Sequence, residues 1–473
     1  MTEPTMAHPT SRSSPARPAR SPDAVPWATF AVCGAASYLA TLDLSIVNVA
    51  FAEIARSFPA ADRGAISWVI TAYSILFGSL LVASGRMADR LGRKPLLQAG
   101  TALFAVGSII CAAAPGLGVL IAGRAVQGLG GALLTPASLG LLLAAFPPER
   151  RSQAIAWNGA VAALGVASGP TLGAFFVATL GWRSAFWINV PLCAAIVVAA
   201  HRSIRDRRAP AGPRPDVLAA PVLTAALAAL VWAISRAETH GWTDRTVLGL
   251  AALAIALGAI VVLRTSRHRL PLLPPTLFRQ RSFSTANLAT VVFGAGFSAN
   301  ILNNVLFLRT VWRYGVIGAG LLSVLAPVVV AVFSVAAGRV MRRTGFRVLL
   351  IGGPLGFAAV TVAQWAVLEE ARAPWTLWLP LMFLLGISIA ASFPVLAAAA
   401  VQTLPPEHFA LGGAINTTSR QIGAAIGVAL VVTVQGSAGG IDGYRAGWLL
   451  VAACGVLAAA ISVPRARPTR STA

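Results

Sequence analysis

The sequence predicts an all-α, polytopic membrane protein of about fourteen transmembrane helices, with both termini on the cytoplasmic side. Three observations carry this. The 473 residues are 57% hydrophobic and only 11% charged, which is too apolar for a soluble protein of that length. Apolar runs of about 20 residues recur along the whole chain, each enough to cross a hydrocarbon core of roughly 30 Å as a helix. The basic residues are asymmetric: with the N-terminus inside, about 26 of the 37 Lys and Arg fall in inner tails and loops and about 9 in outer loops. Two more, Arg124 and Arg420, fall within spans.

The spans start near residues 26, 65, 95, 117, 152, 183, 216, 246, 283, 315, 347, 375, 410 and 443. Residues 1–25 are rich in Pro, Ser and Arg and read as a disordered cytoplasmic tail. The first apolar run is long and many more follow it, which argues against a cleaved signal peptide. Within the chain one pattern occurs twice: GRMADRLGRK at 85–94 and GRVMRRTGFR at 338–347, with Gly85 matching Gly338 and Gly92 matching Gly345 at a shift of 253 residues. Parallel repeats of this kind build the two six-helix halves of many secondary transporters. The expected order is a six-helix bundle over 26–201, a connecting stretch 202–282 with two extra spans, a second six-helix bundle over 283–463, and a tail 464–473. This is a 6+2+6 arrangement.

The net charge of +22 is read as topology with some attraction to anionic lipid, not as a nucleic-acid surface, because the charge follows the loops. Cys33, Cys111, Cys193 and Cys454 all fall within spans, with no metal or disulfide spacing. No His cluster or HExxH is present, so an integral-membrane enzyme is disfavoured. A channel or receptor is disfavoured by the repeat. Lys94 is the only lysine, a usage associated with GC-rich bacterial genomes.

Several stretches carry specific chemistry. Gly85-Arg86-Met87-Ala88-Asp89-Arg90-Leu91-Gly92-Arg93-Lys94 is a basic loop whose glycines permit a tight turn and whose Asp89 could accept from a helix N-terminus. Its second copy has Arg342 where Asp89 would align, so the two copies are not equivalent. Leu120, Arg124, Gln127 and Gly128-Leu129-Gly130-Gly131 place a buried Arg beside small residues in span four. Gly165, Gly169, Pro170 and Gly173 give span five a smooth packing face and a bend. Gly181-Trp182-Arg183-Ser184-Ala185-Phe186-Trp187-Ile188-Asn189-Val190-Pro191 opens span six with interface-anchoring Trp residues. Arg420-Gln421-Ile422-Gly423 and Gly427 lie in span thirteen, and Leu42-Asp43-Leu44-Ser45-Ile46-Val47-Asn48 in span one.

Together these stretches resemble the major facilitator superfamily, in its fourteen-helix drug:proton antiporter branch, over residues 26–463. The resemblance implies the major facilitator fold. It also implies a proton-coupled antiporter that exports hydrophobic drugs or antibiotics across the bacterial cytoplasmic membrane by alternating access, with no cofactor beyond the proton gradient. Gly85, Asp89, Arg90, Gly92 and Arg93 would form an inner gate; Gly165, Gly169, Pro170 and Gly173 would be the antiporter motif. Ala174 stands for the usual final Gly of that motif, Ser45 for the usual Thr of span one and Ala52 for a usual Pro. The alternative is a proton-coupled uptake or export carrier for one metabolite.

Of the 15 acidic residues, seven fall in inner segments and seven in outer loops; only Asp43 falls within a span. The five His lie outside the spans or at their ends. A charge at that depth is normally paired, neutralised or used. Counting at 1.5 Å per residue puts Asp43 about 12 Å and Arg124 about 10 Å below the outer face, so they could meet. Asp43 and Arg124 are therefore the proton-coupling candidates, with a fixed structural ion pair as the alternative. Polar or aromatic candidates for a midplane substrate cavity are Asn48, Tyr73, Gln127, Trp157, Asn300, Asn303, Asn304 and Arg420. The second half offers no acid at depth, which favours a neutral, monocationic or zwitterionic hydrophobic compound over a dication. The expected partners are that small substrate, protons and membrane lipid, with a monomer as the assembly.

Overall fold

Fourteen helices among the described residues are long and apolar enough to cross a membrane. The computed structural model describes residues 27–147, 150–204, 218–268, 275–344, 346–402, 404, 409–438 and 440–463. The helices are α1 Trp27–Ser57, α2 Arg63–Leu91, α3 Arg93–Ala112, α4 Leu117–Ala145, α5 Arg151–Leu180, α6 Ser184–Trp187, α7 Asn189–Ser203, α8 Ala219–His240 and α9 Arg245–Arg267. They continue as α10 Pro275–Phe278, α11 Arg281–Thr310, α12 Val316–Thr344, α13 Phe346–Val367, α14 Leu379–Ala390, α15 Phe393–Val401, α16 Phe409–Ala438 and α17 Gly440–Ser462. α6 and α7 form one span, and a π turn at Pro374–Trp378 joins α14 and α15 in another. No strand occurs among the described residues.

Each expected start falls within three residues of an observed one. Helix ends are fixed by identifiable groups. Asp62 accepts from the Ala65 amide at 2.6 Å and Asp244 from the Thr246 amide at 3.0 Å, satisfying first-turn donors that have no partner within the helix. The stretch expected as a loop at 85–94 is mostly helix: α2 continues to Leu91, and only Gly92, at φ +102°, breaks it before α3. That φ is open to Gly and strained for other residues. α1 likewise runs on to Ser57, so that Glu53, expected in an outer loop, lies within the helix.

α1 packs on α4, α5 and α7, while α3 packs on α4 and α7; α11 packs on α15, α16 and α17 in the other half. The halves meet along two seams, α2 on α16 and α5 on α12. α8 lies against both α2 and α16 and carries α9 on its far side. α9 is mostly exposed, as suits a helix facing lipid.

The two ends of the bundle differ. At the end away from Gly92, Glu53 on α1 pairs with Arg309 on α11. Nearby, Gly320 of α12 sits so close to α5 that a Cβ there would stand 2.5 Å from the Pro170 carbonyl oxygen. Helix α16 shows the same asymmetry. Residues 413, 417, 420 and 424 project from its side opposite α8; all are accessible, whereas Val428, Val431 and Gln435 further along that side are buried. A vestibule therefore opens toward the Gly92 end and is sealed at the other. Glu53 and Arg309 are partly buried, so their pair should contribute about 1 kcal/mol to closure. In a cysteine-free background, Glu53→Gln is expected to raise labelling of a cysteine at Val177 from the sealed end by about fivefold. Unchanged labelling would show that the pair does not hold that end shut.

Candidate functional site

Asp43 lies fully buried on α1, and the residues around it come from four other spans. Arg124 of α4 is also fully buried and donates from Nη1 to Asp43 Oδ2 at 2.7 Å. Gln127, one turn further along α4, donates to Asp43 Oδ1 at 3.2 Å. Asn189, the first residue of α7, donates to the same oxygen at 2.8 Å. Both carboxylate oxygens are thus occupied by donors, an arrangement made for the ionised form.

Arg124 is held from its other sides. Its Nε donates to the Val69 carbonyl of α2 at 2.8 Å, and its Nη1 also donates to Gln127 Oε1 at 2.7 Å. The guanidinium carbon lies 4.5 Å from the Tyr73 ring centroid and 5.9 Å from that of Phe186. Gln127 in turn donates to Ser108 of α3 at 2.7 Å. Three buried polar atoms of this network, Arg124 Nη2, Asn189 Oδ1 and Tyr73 OH, have no hydrogen-bond partner among the described residues. The network is therefore charged, buried and incompletely satisfied by protein groups, which leaves room for a second arrangement of similar energy.

The small residues of α5 explain how this site reaches the other half. Gly165, Gly169 and Gly173 follow at i, i+4 and i+8 and face α1. A Cβ at Gly165 would overlap Thr41 Oγ1, one at Gly169 would overlap Ser45 Oγ, and one at Gly173 would stand 2.7 Å from Ile46 Cγ1. Pro170 has no amide hydrogen, so the carbonyl four residues back, Val166, loses its helical donor. Ser45, two residues from Asp43, donates to that carbonyl at 3.0 Å. Thr41 does the same for the Ala162 carbonyl at 2.9 Å. Pro170 and Ala174 then form the seat for Gly320 of α12. Asp43, Ser45, Val166, Pro170 and Gly320 lie along a continuous packed route from the ion pair to the second half. Ser45→Ala leaves the Val166 carbonyl without that donor, at a cost of about 1 kcal/mol. Its transport rate is expected to fall about fivefold while Ser45→Thr keeps the wild-type rate. Equal rates for the Ala and Thr variants would show that the hydroxyl is idle.

The remaining sequence candidates fall in several places. Tyr73 and Gln127 are fully buried in the Asp43 network and line no open cavity. Asn48 is half-buried and donates to its own helix at the Leu44 carbonyl, 2.7 Å. Trp157 sits in an aromatic group at the Gly92 end, stacked on Trp27 at 5.8 Å, and not at the midplane. Asn300, Asn303 and Asn304 are buried in interhelical hydrogen bonds. Asn304 accepts from Trp448 at 2.9 Å, and Asn303 accepts from Gln435 at 2.6 Å. Of the gate candidates, Gly85 lies within α2 and Arg90 is half-buried. Arg93 donates to the Gly140 carbonyl of α4 at 2.7 Å, a bond inside the first half. The Asp89 side chain lies outside the described residues. Arg420 is exposed, its guanidinium carbon 5.6 Å from the Phe393 ring centroid.

Sequence reasoning missed Asn189, which it took as part of an interface anchor. The available signal was a carboxamide in the apolar run Trp187-Ile188-Asn189-Val190-Pro191, at the start of a helix whose first turn would lie near Asp43 in depth. It also missed Ser108, whose hydroxyl looks like any small polar residue of a span.

The family model described as Major Facilitator Superfamily matches residues 33–278 and 286–473. The chain belongs to the major facilitator superfamily. Among similar superfamily members, the Methylenomycin A resistance protein of Streptomyces coelicolor is 31% identical over 446 residues, covering 92% of this chain and 91% of that protein. The Tetracenomycin C resistance and export protein of Streptomyces glaucescens is 29% identical, covering 87% and 76%. In fold, this superfamily member is similar to the crystal structure of a POT family transporter in complex with a thioalcohol conjugated peptide. The TM-score is 0.70 with 14% identity, covering 93% of this chain and 96% of that one. As a superfamily transporter with fourteen apolar helices among its described residues, it is a multi-pass membrane protein.

Proposed function

We propose that this protein is a proton-coupled antiporter that exports a small hydrophobic drug or antibiotic across the bacterial cytoplasmic membrane. Both termini then face the cytoplasm, and the open vestibule is the cytoplasmic one. The observation that carries this reading is the sealed Asp43–Arg124 pair, joined through Ser45 and Pro170 to the seam with α12. Among the described residues Asp43 is the only carboxylate in the middle of a span, Glu53 and Asp442 lying near span ends, so it is where a proton would act. Export is supported by two relatives whose names describe resistance, one of them also export.

In this mechanism a proton from the outer side neutralises Asp43. Arg124 is released from its carboxylate and turns to the Val69 carbonyl, Gln127 and the Tyr73 ring, which already surround it. α1 then shifts against the glycine face of α5, and the Pro170–Gly320 seat transmits the shift to α12. Gly85, Asp89, Arg90, Gly92 and Arg93 belong to the cytoplasmic closure. No cofactor is involved, the driving force being the proton gradient, and no covalent chemistry occurs. The test is proton-driven transport of a compound panel in inverted membrane vesicles. Accumulation of resistance-type compounds that collapses with a protonophore is the expected result; no driven transport of any compound, or transport only in the uptake direction, would overturn the reading.

A further inference from the structure

Arg420 occupies the middle of α16, eleven residues or about 16 Å from its first residue. Its flanking residues Asn416, Thr418, Ser419 and Gln421 are all buried, yet Arg420 is exposed. The helix explains this. Gln421 and Thr418 face Gly78 on α2, Gly423 and Gly427 face α11, and Ile422, Ala425, Ile426 and Ala429 face α8. Arg420 projects on the side opposite α8, into the open vestibule between the halves. Its guanidinium rests over Phe393 of α15, whose ring meets Phe297 of α11 edge-on at 4.9 Å.

No hydrogen bond or ion pair joins Arg420 to any described residue; its one partner is that ring face. The other charges at this depth, Asp43 and Arg124, cancel each other out of contact with the vestibule. Among the described residues, the vestibule therefore carries one uncompensated positive charge at mid-membrane depth. Such a charge is rare and is normally matched by an anion. Low-dielectric walls strengthen its pull, and a guanidinium offers a planar fork that fits a carboxylate in two bonds.

We infer that the transported compound is an amphipathic organic acid, and that Arg420 binds its carboxylate or acidic enol oxygen while Phe393 and Phe297 hold its apolar body. This takes the export reading above as its frame and fixes the substrate class within it. It departs from the neutral, monocationic or zwitterionic compound expected from sequence. There the lack of a second carboxylate decided the class; here the unpaired guanidinium does. One consequence is electrical. With one proton entering per turnover, export of a monoanion moves two charges, of a neutral compound one, and of a monocation none.

The test uses the full chain in two formats. In zwitterionic lipid nanodiscs, 2-naphthoate is expected to raise the unfolding temperature, with its methyl ester and 2-naphthylmethylammonium at least tenfold weaker at half-effect concentration. Arg420→Gln should remove that preference, and Arg420→Lys should keep part of it by retaining the charge. In proteoliposomes, export of the acid should be driven by membrane potential as well as by the pH difference and fall at least tenfold in Arg420→Gln. Equal response to acid, ester and amine, or an acid preference that survives Arg420→Gln, would overturn the inference. So would stabilisation by phosphatidylglycerol but not by the free acid, which would make Arg420 a lipid headgroup site. Acid binding that depends on Arg420 without driven transport would sustain the inference and sink the export reading instead. A version of Arg420→Gln that does not fold leaves the Lys variant and the three-ligand comparison on the wild type to decide.

Discussion

Asp43→Asn is expected to abolish proton-driven transport, lowering the uphill rate by at least a hundredfold and removing its pH dependence. Asn keeps the shape of Asp but puts an NH2 where a carboxylate oxygen now accepts. Three donors converge on those oxygens, from Arg124, Gln127 and Asn189, so at least one donor would face another. Arg124 would also lose its only counter-charge while fully buried, a loss that typically costs about 3–5 kcal/mol. Reduced stability could therefore lower transport without any role for the proton, and the double variant Asp43→Asn/Arg124→Gln separates the two. Removing both charges relieves the buried cation, so a structural pair predicts recovery of both stability and transport. A coupling pair predicts recovery of stability alone. The readouts are unfolding temperature in detergent and uptake into inverted vesicles at two pH values. Full transport by the double variant with unchanged pH dependence would end the coupling role.

The pairing of Asp43 with Arg124 was legible because depth along a helix is set by residue count. Two charges in neighbouring spans at similar depth have few alternatives in an apolar interior. Asn189 and Ser108 were not legible, because which neutral polar residue turns toward a carboxylate depends on helix rotation, and one sequence with nearly uniform apolar spans fixes rotation poorly. The same limit explains the second half. Asn300, Asn303 and Asn304 looked like cavity residues by type, but Asn300 and Asn304 bond each other within α11 and bond Gln364 and Trp448 across helices, while Asn303 accepts from Gln435. The stretch 85–94 read as a loop because it is charged and glycine-bearing. Helical hydrogen bonding tolerates both at a membrane surface, so only Gly92, with its positive φ, ends the helix. The hydroxyl of Ser45 illustrates the converse. Its value follows from Pro170, 125 positions away, and no local pattern connects them.

The packing of the second half rests on an approach so close that one methyl group should disrupt it. Gly423 and Gly427 lie one turn apart on α16 against the backbone of α11. A Cβ at Gly427 would overlap the Ala295 carbonyl oxygen and stand 2.6 Å from Ala295 Cα; one at Gly423 would overlap the Val291 carbonyl oxygen. These are backbone atoms of a helix, which cannot rotate aside as a side chain would. Accommodation requires α16 and α11 to separate, and separation strains the bonds from Asn416 to Thr290 at 2.9 Å and from Gln435 to Asn303 at 2.6 Å. In lipid there is no hydrophobic force to draw the helices back, since association depends on close contact of small residues and on interhelical hydrogen bonds. Overpacking of this kind typically costs about 1–3 kcal/mol, and loss of the paired amides adds to it. Gly427→Ala is therefore expected to reduce folded protein in the membrane at least fivefold, with Gly423→Ala close behind. Gly413, on the same helix with no atom within 4 Å of where a Cβ would stand, is the control and should tolerate Ala at full yield. Monodisperse recovery on size-exclusion chromatography reads the result; equal recovery of all three variants would mean that α11 and α16 are not held at this distance in the membrane.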